Sequence, residues 1–456
     1  MKKSYNLKFK IRYFIIFFIC IFINNLNITY SEPTSTKSKK YNLIEVYNLA
    51  VINDQSIKAA YNQLRSSEFN KYVNLSPLLP QLNFTSNYQT ENGKTKINDN
   101  SLDTSSNSRS FIFSLNQILF NYTLWQAHKK SSYDFDSQKM SFYISTQELI
   151  INTANRYFNI IKAQNNLISQ EEEYKGILSQ YKQTSAQYKV GIVAKVDLDN
   201  VKAKLATSKT RVIRSKTFVK NAIDELEILT NKQIKLINKY NHNNKLYKYN
   251  LDYNLWLEKA KLSNYNIKKS FYTKLSTNTD IKIVSGDFFP TVSFNGSYGG
   301  SKTNTKYQIT PGYNHNKIYM ISLSYPIFSS GNTYFSRKQA IYNYNKSKNN
   351  YNQTYREQTT NVDIYIRNIK TDLSKISSLK QELKSEKAAV DAAKAGYQAG
   401  TRTMTEVLDQ LSSYYNAQTQ YYNSFYDYFL DTLKLKQVSG ELGTSDIVKI
   451  NNLLLT

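Results

Sequence analysis

Apolar and polar residues alternate in two runs of the chain, a pattern typical of β-strands with two different faces. In the first run, after a Pro-containing turn, Leu82, Phe84 and Tyr88 fall on one face and polar residues lie between them. A polar segment follows at 91–108, and another alternating run starts near Ser110. Two such runs around a polar segment predict a β-hairpin with a long loop.

The same arrangement returns in the second half of the chain. Val292, Phe294 and Tyr298 share one face, and the polar segment 299–316 follows them. The return run carries the apolar residues Tyr319, Ile321, Leu323 and Tyr325. Each half is therefore predicted to contribute one hairpin of two strands.

After each hairpin the apolar spacing changes to three and four residues, which indicates helices. Residues 127–190 contain no proline and only Gly176 as an interior glycine. At about 1.5 Å per residue such a segment makes a helix of roughly 95 Å, longer than a compact domain is wide. The segments 41–74 and 252–284, ahead of the hairpins, are each predicted to form one helix.

A coiled-coil stripe follows each of two glycine-containing breaks, at Gly191 and Gly400. The first stripe contains Leu198, Val201, Leu205, Ser208, Val212, Ser215, Val219, Ala222, Leu226 and Leu229. The second contains Met404, Leu408, Leu411, Tyr415, Tyr422, Phe425 and Phe429. The two breaks are therefore predicted to be the bends of two long helical hairpins.

The two halves arise from an internal duplication. Five pairs of similar segments recur in the same order at offsets of 208 to 210 residues, including Pro80 with Pro290 and Gly191 with Gly400. A shared composition bias does not produce a constant offset, whereas a duplicated unit does.

The N-terminus has the features of a secretory signal peptide, predicted to span 1–31. A short apolar run, Tyr13 to Ile23, follows several lysines and contains Cys20, the only cysteine of the chain. The formal net charge of +26 suggests nucleic-acid binding at first. The basic residues are scattered, however, and an exported chain meets little nucleic acid, so no nucleic-acid partner is predicted.

The sequence shows no catalytic or metal-binding pattern. The three histidines, His128, His242 and His315, are isolated and lack metal-ligand spacing. Neither a phosphate-binding loop nor a nucleophile elbow is present in the sequence. The chain is therefore predicted not to be an enzyme and to need no metal or cofactor.

Four strands with one apolar face are too few to close a barrel, and open strand edges are not tolerated in lipid. Several chains could close one barrel together. A soluble β-sandwich with a coiled-coil stalk remains the alternative at this point.

Several segments resemble the TolC family of outer-membrane channel proteins. They are "SPLLPQLNF", "NTANRYFNI", "YKVGIVAKVDL", "YPIF" and "AGYQAGTRTMTEVLD", and the resemblance runs from about Leu43 to Leu455. It implies an α+β membrane protein: a trimer whose twelve-strand outer-membrane barrel, four strands per chain, continues into a long helical tunnel.

On this basis the chain divides into five parts. After the signal peptide, the first repeat spans 32–230 and the second 252–437, each with a helix, a β-hairpin and a long helical hairpin. The linker 231–251 and the C-terminal segment 438–456 are expected to form a belt around the tunnel.

Two acidic residues after the second bend are candidate gate residues. Glu406 and Asp409 are three positions apart and so share one helix face. In a trimer they would form two stacked carboxylate rings, which attract cations. An ordinary helix N-terminus also favours acids, so position alone leaves this open. The family resemblance implies the rings, although it has aspartate where this chain has Glu406.

The resemblance further implies a latch that holds the tip closed. Tyr397 and Arg402 would bond to the neighbouring hairpin, with Asp197 as their expected partner. Val196 and Lys394 depart from the family pattern, because a hydroxyl and an acid are expected there.

The bends themselves resemble the surface that periplasmic adaptor proteins contact in this family. The predicted docking residues are Gly191, Ile192, Val193, Ala194, Gly400 and Thr401. Glycine at a helix end also has a purely local explanation, since it permits positive φ.

The predicted function is a passive exit duct for a tripartite efflux pump or a type I secretion system. Its expected partners are two further copies of the chain, a periplasmic adaptor, an inner-membrane ABC or proton-driven transporter, and outer-membrane lipid. A trimeric, adhesin-like surface protein with a stalk is the alternative.

Overall fold

The computed structural model describes residues 40–97, 100–234, 237, 246, 249–305 and 312–455. The predicted signal peptide with Cys20 lies outside the described residues, as do His242 and most of the predicted linker.

The described residues of the first repeat form four α-helices and two strands. They are α1 (Leu43–Asn53), α2 (Gln55–Leu75), β1 (Gln81–Ile97), β2 (Asn100–Phe120), α3 (Tyr122–Lys189) and α4 (Lys195–Thr230). The second repeat has the same order, and a C-terminal helix follows it. Its elements are α5 (Tyr253–Ser263), α6 (Tyr265–Ser285), β3 (Thr291–Thr305), β4 (Gly312–Ser324), α7 (Asn332–Gln398), α8 (Met404–Val438) and the C-terminal α9 (Thr444–Leu455).

The prediction of one helix over 41–74 and one over 252–284 was wrong. Each segment is two helices that meet at a single extended residue, Asp54 in the first repeat and Asn264 in the second. The side chain of each accepts a hydrogen bond from the backbone three residues on, at 2.8 Å and 2.9 Å. Asp and Asn favour such N-cap positions, so the break needs neither proline nor glycine.

The four strands form one antiparallel sheet in the order β1-β2-β3-β4. Most of the two predicted loops, 91–108 and 299–316, is strand, since β1 reaches Ile97, β2 begins at Asn100 and β3 reaches Thr305. These distal parts are polar on both faces, so the hydrophobic alternation fades while the hydrogen-bond ladder continues.

The predicted separation of the sheet into two faces is confirmed. The strand register places Phe84 opposite Phe113, Phe113 opposite Tyr298, and Tyr298 opposite Lys317 on one face. This apolar face also carries Leu82, Leu115, Val292, Phe294, Tyr319, Ile321 and Leu323, whereas Asn, Ser and Thr dominate the other face.

The helices form two long antiparallel hairpins, α3 with α4 and α7 with α8, and α3 also packs against α8. The 68 residues of α3 correspond to about 100 Å at the usual helical rise. Along α4 the predicted stripe faces its neighbours, with Val201, Ser208 and Leu226 fully buried. None of the helices in the described ranges is long and apolar enough to cross a membrane.

The main core lies around the middle of α3, where the rings of Phe158, Tyr426 and Phe429 pack together. Helix α9 packs against α1 at this level and buries Ile447 and Ile450. The repeats and their terminal helix therefore share one hydrophobic core.

Candidate functional site at the hairpin tips

Both helical hairpins bend through the same backbone motif. At the first tip Gly191 has φ +77°, its N–H donates to the Tyr188 carbonyl at 3.0 Å, and the Ile192 N–H donates to the Gln187 carbonyl at 2.9 Å. These two bonds define a Schellman motif, which satisfies the last carbonyls of a helix.

The second tip repeats this geometry 209 positions later, at Gly400 with φ +75°. Its N–H donates to the Tyr397 carbonyl at 3.1 Å, and the Thr401 N–H donates to the Gly396 carbonyl at 2.9 Å. A Cβ added at either tip glycine would have no neighbour within 4 Å. The positive φ, not crowding, therefore requires glycine.

The helices that leave the two bends begin differently. Helix α4 begins after Ala194, which gives no side-chain cap, whereas Thr403 and Glu406 form a capping box at the start of α8. Around the first bend Val190 and Ile192 are each 71% exposed and Val196 is 67% exposed. The first tip thus presents apolar side chains to solvent, and the second presents polar ones.

Above the bends a small apolar core joins the two hairpins. This tip core consists of Ile177, Val201, Val390, Ala393, Met404, Val407, Leu408 and Leu411, contributed by α3, α4, α7 and α8. Helices α3 and α8 approach closely here, because a Cβ on Gly176 would lie 2.8 Å from a methyl carbon of Leu411. Glycine at this position permits the contact.

The two predicted gate carboxylates lie on the exposed side of α8, away from the tip core. The Glu406 carboxylate accepts from the Thr403 backbone N–H at 3.5 Å, which completes the capping box, and also from the Thr403 hydroxyl at 3.0 Å. Asp409 forms an ion pair with Lys204 of α4 at 2.8 Å. Within one chain, Glu406 therefore stabilises a helix start, and Lys204 partly balances the charge of Asp409.

Tyr397 lies where the latch was predicted, but its hydroxyl donates to the side-chain oxygen of Gln187 at 3.3 Å. Burial raises the pKa of the Tyr397 phenol, and the nearby Asp197 carboxylate raises it further. The phenol therefore stays protonated at neutral pH and remains a hydrogen-bond donor. Asp197 is its electrostatic neighbour, and Gln187 is its bonded partner.

Arg402 and Asp197 form no ion pair with each other or with other described residues of the chain. The aliphatic part of Arg402 lies over Gly396, where an added Cβ would come within 3.0 Å of its Cγ. The predicted Arg402–Asp197 contact is therefore not made within one chain.

Sequence reasoning missed a polar contact between the hairpins. The fully buried Glu173 of α3 accepts from Arg211 of α4 at 2.5 Å and from the Ser412 hydroxyl of α8. Glu173 sits in the run 171–173, which resembles a solvated charge cluster. The available signal is that Glu173 lies four residues before the buried Ile177, on the same helix face.

A second acidic group lies at the level of the main core. Asp372 of α7 has its pKa raised to about 6, chiefly by burial and then by the carboxylates of Asp431 and Asp427. Asp427 is in turn paired with Lys162 of α3. No group of His, Cys, Asp and Glu in the described residues is arranged to hold a metal ion.

Comparison with known proteins matches both repeats. A family model described as Outer membrane efflux protein matches residues 46–232 and again 256–441. Outer membrane protein TolC of Escherichia coli (strain K12) is 28% identical over 432 residues, which cover 92% of this chain and 86% of that protein. Alkaline protease secretion protein AprF of Pseudomonas aeruginosa is 21% identical over 412 residues, 89% of this chain and 85% of that protein.

The fold matches a solved channel structure as well. The crystal structure of the Campylobacter jejuni CmeC outer membrane channel superimposes with a TM-score of 0.75 at 19% identity. The match covers 94% of this chain and 97% of that one.

Proposed function

The chain belongs to the outer membrane efflux protein family, and from this premise we propose that three copies form one exit duct across the outer membrane and the periplasm. Membership makes the chain a non-enzymatic efflux channel protein of the outer membrane and decides against the adhesin-like alternative. The trimer, the gate and the partners are the further steps proposed here.

The observation that carries the trimer is the open four-stranded sheet with one apolar face. Its outer strands β1 and β4 each have one edge without a partner strand among the described residues, and such edges cannot face lipid. Two chains would give eight strands, and side chains fill the interior of a barrel of that size. Three chains give twelve strands, and the polar Asn, Ser and Thr face would then line a pore.

The helices support the same assembly, because each repeat leaves large apolar side chains exposed. Tyr61 and Phe69 of α2 are more than half exposed, as are Phe335 and Tyr342 of α7. Burial of such side chains between neighbouring chains contributes about 1.5–3 kcal/mol each. The linker 231–251 and the segment 438–456 are proposed to form a belt around this helical tube.

We propose that the tips are the gate. Tyr397 with Gln187, and Lys204 with Asp409, hold the second hairpin against the first within each chain. Arg402 and Asp197, unpaired within the described chain, are proposed to meet across neighbouring chains. Exposed contacts of this kind contribute only about 0–1 kcal/mol each, which suits a latch that must release.

The exposed apolar residues of the first tip are the proposed docking surface for a periplasmic adaptor. The predicted docking residues Gly191, Ile192, Val193, Ala194, Gly400 and Thr401 all lie at the two bends. An inner-membrane ABC or proton-driven transporter would supply the energy. The relatives are named for alkaline protease secretion and as the outer membrane protein TolC, which fits either class of pump.

Conductance of the purified protein in planar lipid bilayers tests the duct and its gate. We expect a heat-dissociable trimer that conducts weakly, and higher conductance after Tyr397→Phe or Arg402→Ser. Tyr188→Phe, at the exposed side of the first bend, is the matched control. A protein that remains monomeric in the outer membrane would contradict the duct, and unchanged conductance in both variants would contradict the latch.

A further inference from the structure

The apolar face of the sheet ends in a row of cationic and aromatic side chains. Cross-strand register places Tyr88 opposite Arg109, Arg109 opposite Lys302, and Lys302 opposite Tyr313. This distal row crosses all four strands at the end away from the helices. Lys317 lies on the same face of β4, four positions nearer the helices than Tyr313.

The distal row lies at the height of a membrane surface. Ten residues separate Leu323, at the helix end of β4, from Tyr313. At about 3.4 Å per residue and a tilt of about 40°, they span roughly 26 Å along the membrane normal. The lipid-facing band of outer-membrane barrels is about 25 Å tall. Arg109 and Lys302 therefore lie where lipid headgroups begin. Lys317, four residues along β4 from Tyr313, lies roughly 10 Å nearer the helices, and its long side chain can extend toward the headgroups.

The two ends of the apolar face differ in charge. Lys and Arg are absent from all four segments that contain the band, 72–93, 110–127, 283–301 and 318–336. At the distal end the next residues are the strand residues Lys94, Arg109, Lys302 and Lys317. At the helix end the next cation in each segment lies inside a helix, at Lys71, Lys129, Lys282 and Arg337. A general preference of Lys and Arg for membrane surfaces would place cations at both ends of the band, so it does not explain this asymmetry.

Arg109 and Lys317 are held on the face by neighbouring rings. The Arg109 guanidinium lies 5.3 Å from the centre of the Tyr88 ring, and the Lys317 ammonium lies 5.7 Å from that of Tyr298. The His315 ring is stacked on Tyr298, with centroids 6.3 Å apart and planes 7° from parallel. Cation–π contacts orient these charges without neutralising them.

The pair Arg109 and Lys302 is unfavourable in the chain alone. Direct cross-strand neighbours have Cβ atoms about 4.5–5.5 Å apart, and like charges in such pairs are destabilising. Neither residue, nor Lys317, forms an ion pair with any residue in the described part of the chain. An anion bound between the strands would remove this repulsion, and Arg and Lys both bind phosphate.

We propose that Arg109, Lys302 and Lys317 form a binding site for the phosphate groups of an outer-leaflet lipid. The site rests on the proposed function, because that places the apolar face against lipid and the distal row outside. Each trimer then carries three such sites around its barrel. Bound lipid phosphates orient the barrel and fix its depth in the membrane.

The test measures binding of fluorescent lipopolysaccharide to the intact trimer in zwitterionic detergent. Each cation near an anionic lipid surface contributes about fivefold to affinity. The variant Arg109→Gln, Lys302→Gln, Lys317→Gln is therefore expected to bind about 100-fold more weakly. The matched control replaces three exposed lysines of α7, Lys348, Lys370 and Lys380, by Gln and is expected to bind like the parent.

Chemically dephosphorylated lipopolysaccharide separates phosphate recognition from general lipid binding. It is expected to bind the parent as weakly as intact lipid binds the triple variant, and high salt is expected to weaken binding to the parent. Equal affinity of parent and triple variant, or equal binding of both lipids, would overturn the proposal. A single Lys302→Glu variant gives the same test should the triple variant not form heat-dissociable trimers.

The failure of this inference is distinguishable from failure of the duct. Conductance in phosphatidylcholine bilayers, which carry no net headgroup charge, reports the duct alone. A parent protein that conducts but binds both lipids equally overturns the phosphate site only. A parent protein that does not form a conducting trimer overturns the proposed function itself.

Discussion

The hydrogen bond from Ser412 to Glu173 offers the sharpest test of the proposed gate, because it joins the two hairpins. Glu173 belongs to α3 and is fully buried, while Ser412 belongs to α8 and is half-buried. Arg211 of α4 also bonds to Glu173, but it belongs to the same hairpin as Glu173. Ser412→Ala therefore removes this one contact between the hairpins and leaves the buried carboxylate paired with Arg211.

The expected effect follows from the charge of the acceptor. A hydrogen bond to a charged group contributes about 1.5–3 kcal/mol, and opening that displaces α8 from α3 breaks one such bond per chain. At about 1.4 kcal/mol per factor of ten, the loss raises the open-to-closed ratio about tenfold per chain. If the three second hairpins move together, the lower value gives about 4.5 kcal/mol, or roughly a thousandfold.

The assay is the open probability of single trimers in planar bilayers. Ser413→Ala is the control, since Ser413 is adjacent but exposed, and it should behave like the parent. The dissociation temperature of the Ser412→Ala trimer checks that assembly is intact. An assembled Ser412→Ala trimer that conducts like the parent and the control would refute the reasoning, since α3 and α8 would then move as one body.

Three further predictions concern other parts of the molecule. Asp372→Asn should raise the melting temperature at pH 7.5 but not at pH 4. The pKa of the Asp372 carboxyl is raised from 3.8 to about 6 in the fold, so the folded protein loses stability as pH rises through that window, and the neutral Asn avoids this loss. Asp409→Asn should lower cation selectivity, measured as reversal potential in a salt gradient, whereas Lys204→Met should raise it by removing the balancing charge. Gly400→Ala should destabilise the chain by about 1 kcal/mol in denaturant unfolding, because of its positive φ, while Gly443→Ala, with equally open space and no positive φ, should not.

Most of the fold could be predicted from the sequence, because its helices and strands show a clear local periodicity of apolar residues. The helical stripe at Val201, Ser208 and Leu226 and the paired glycines at the bends are each visible within a short window. The helix breaks at Asp54 and Asn264 were not predicted, because a single capping residue does not interrupt the apolar periodicity. The distal parts of the strands were not predicted, because both of their faces are polar and the alternation that indicates a strand is absent.

The contacts between the hairpins could not be predicted, because they depend on which helices become neighbours. The sequence pattern places Gln187 on the solvent side of its helix. Only the packing of α3 beside the second bend makes it the partner of Tyr397. Lys204 and Asp409 are likewise 205 positions apart. The family resemblance pointed to the two bends and named Asp197 as the partner of Tyr397, which within the chain bonds to Gln187.

The balance of apolar and polar contacts at the tips limits how the proposed gate can open. Met404, Val407, Leu408 and Leu411 are buried in the tip core, and exposing them would cost about 1.5–3 kcal/mol each, or roughly 6–12 kcal/mol per chain. The exposed polar contacts between the hairpins contribute about 0–1 kcal/mol each and the Glu173 bond about 1.5–3 kcal/mol. Weak polar latches cannot control a motion whose main cost is apolar. We therefore infer that the second hairpin slides or rotates along the first, keeping the tip core packed while the polar bonds break.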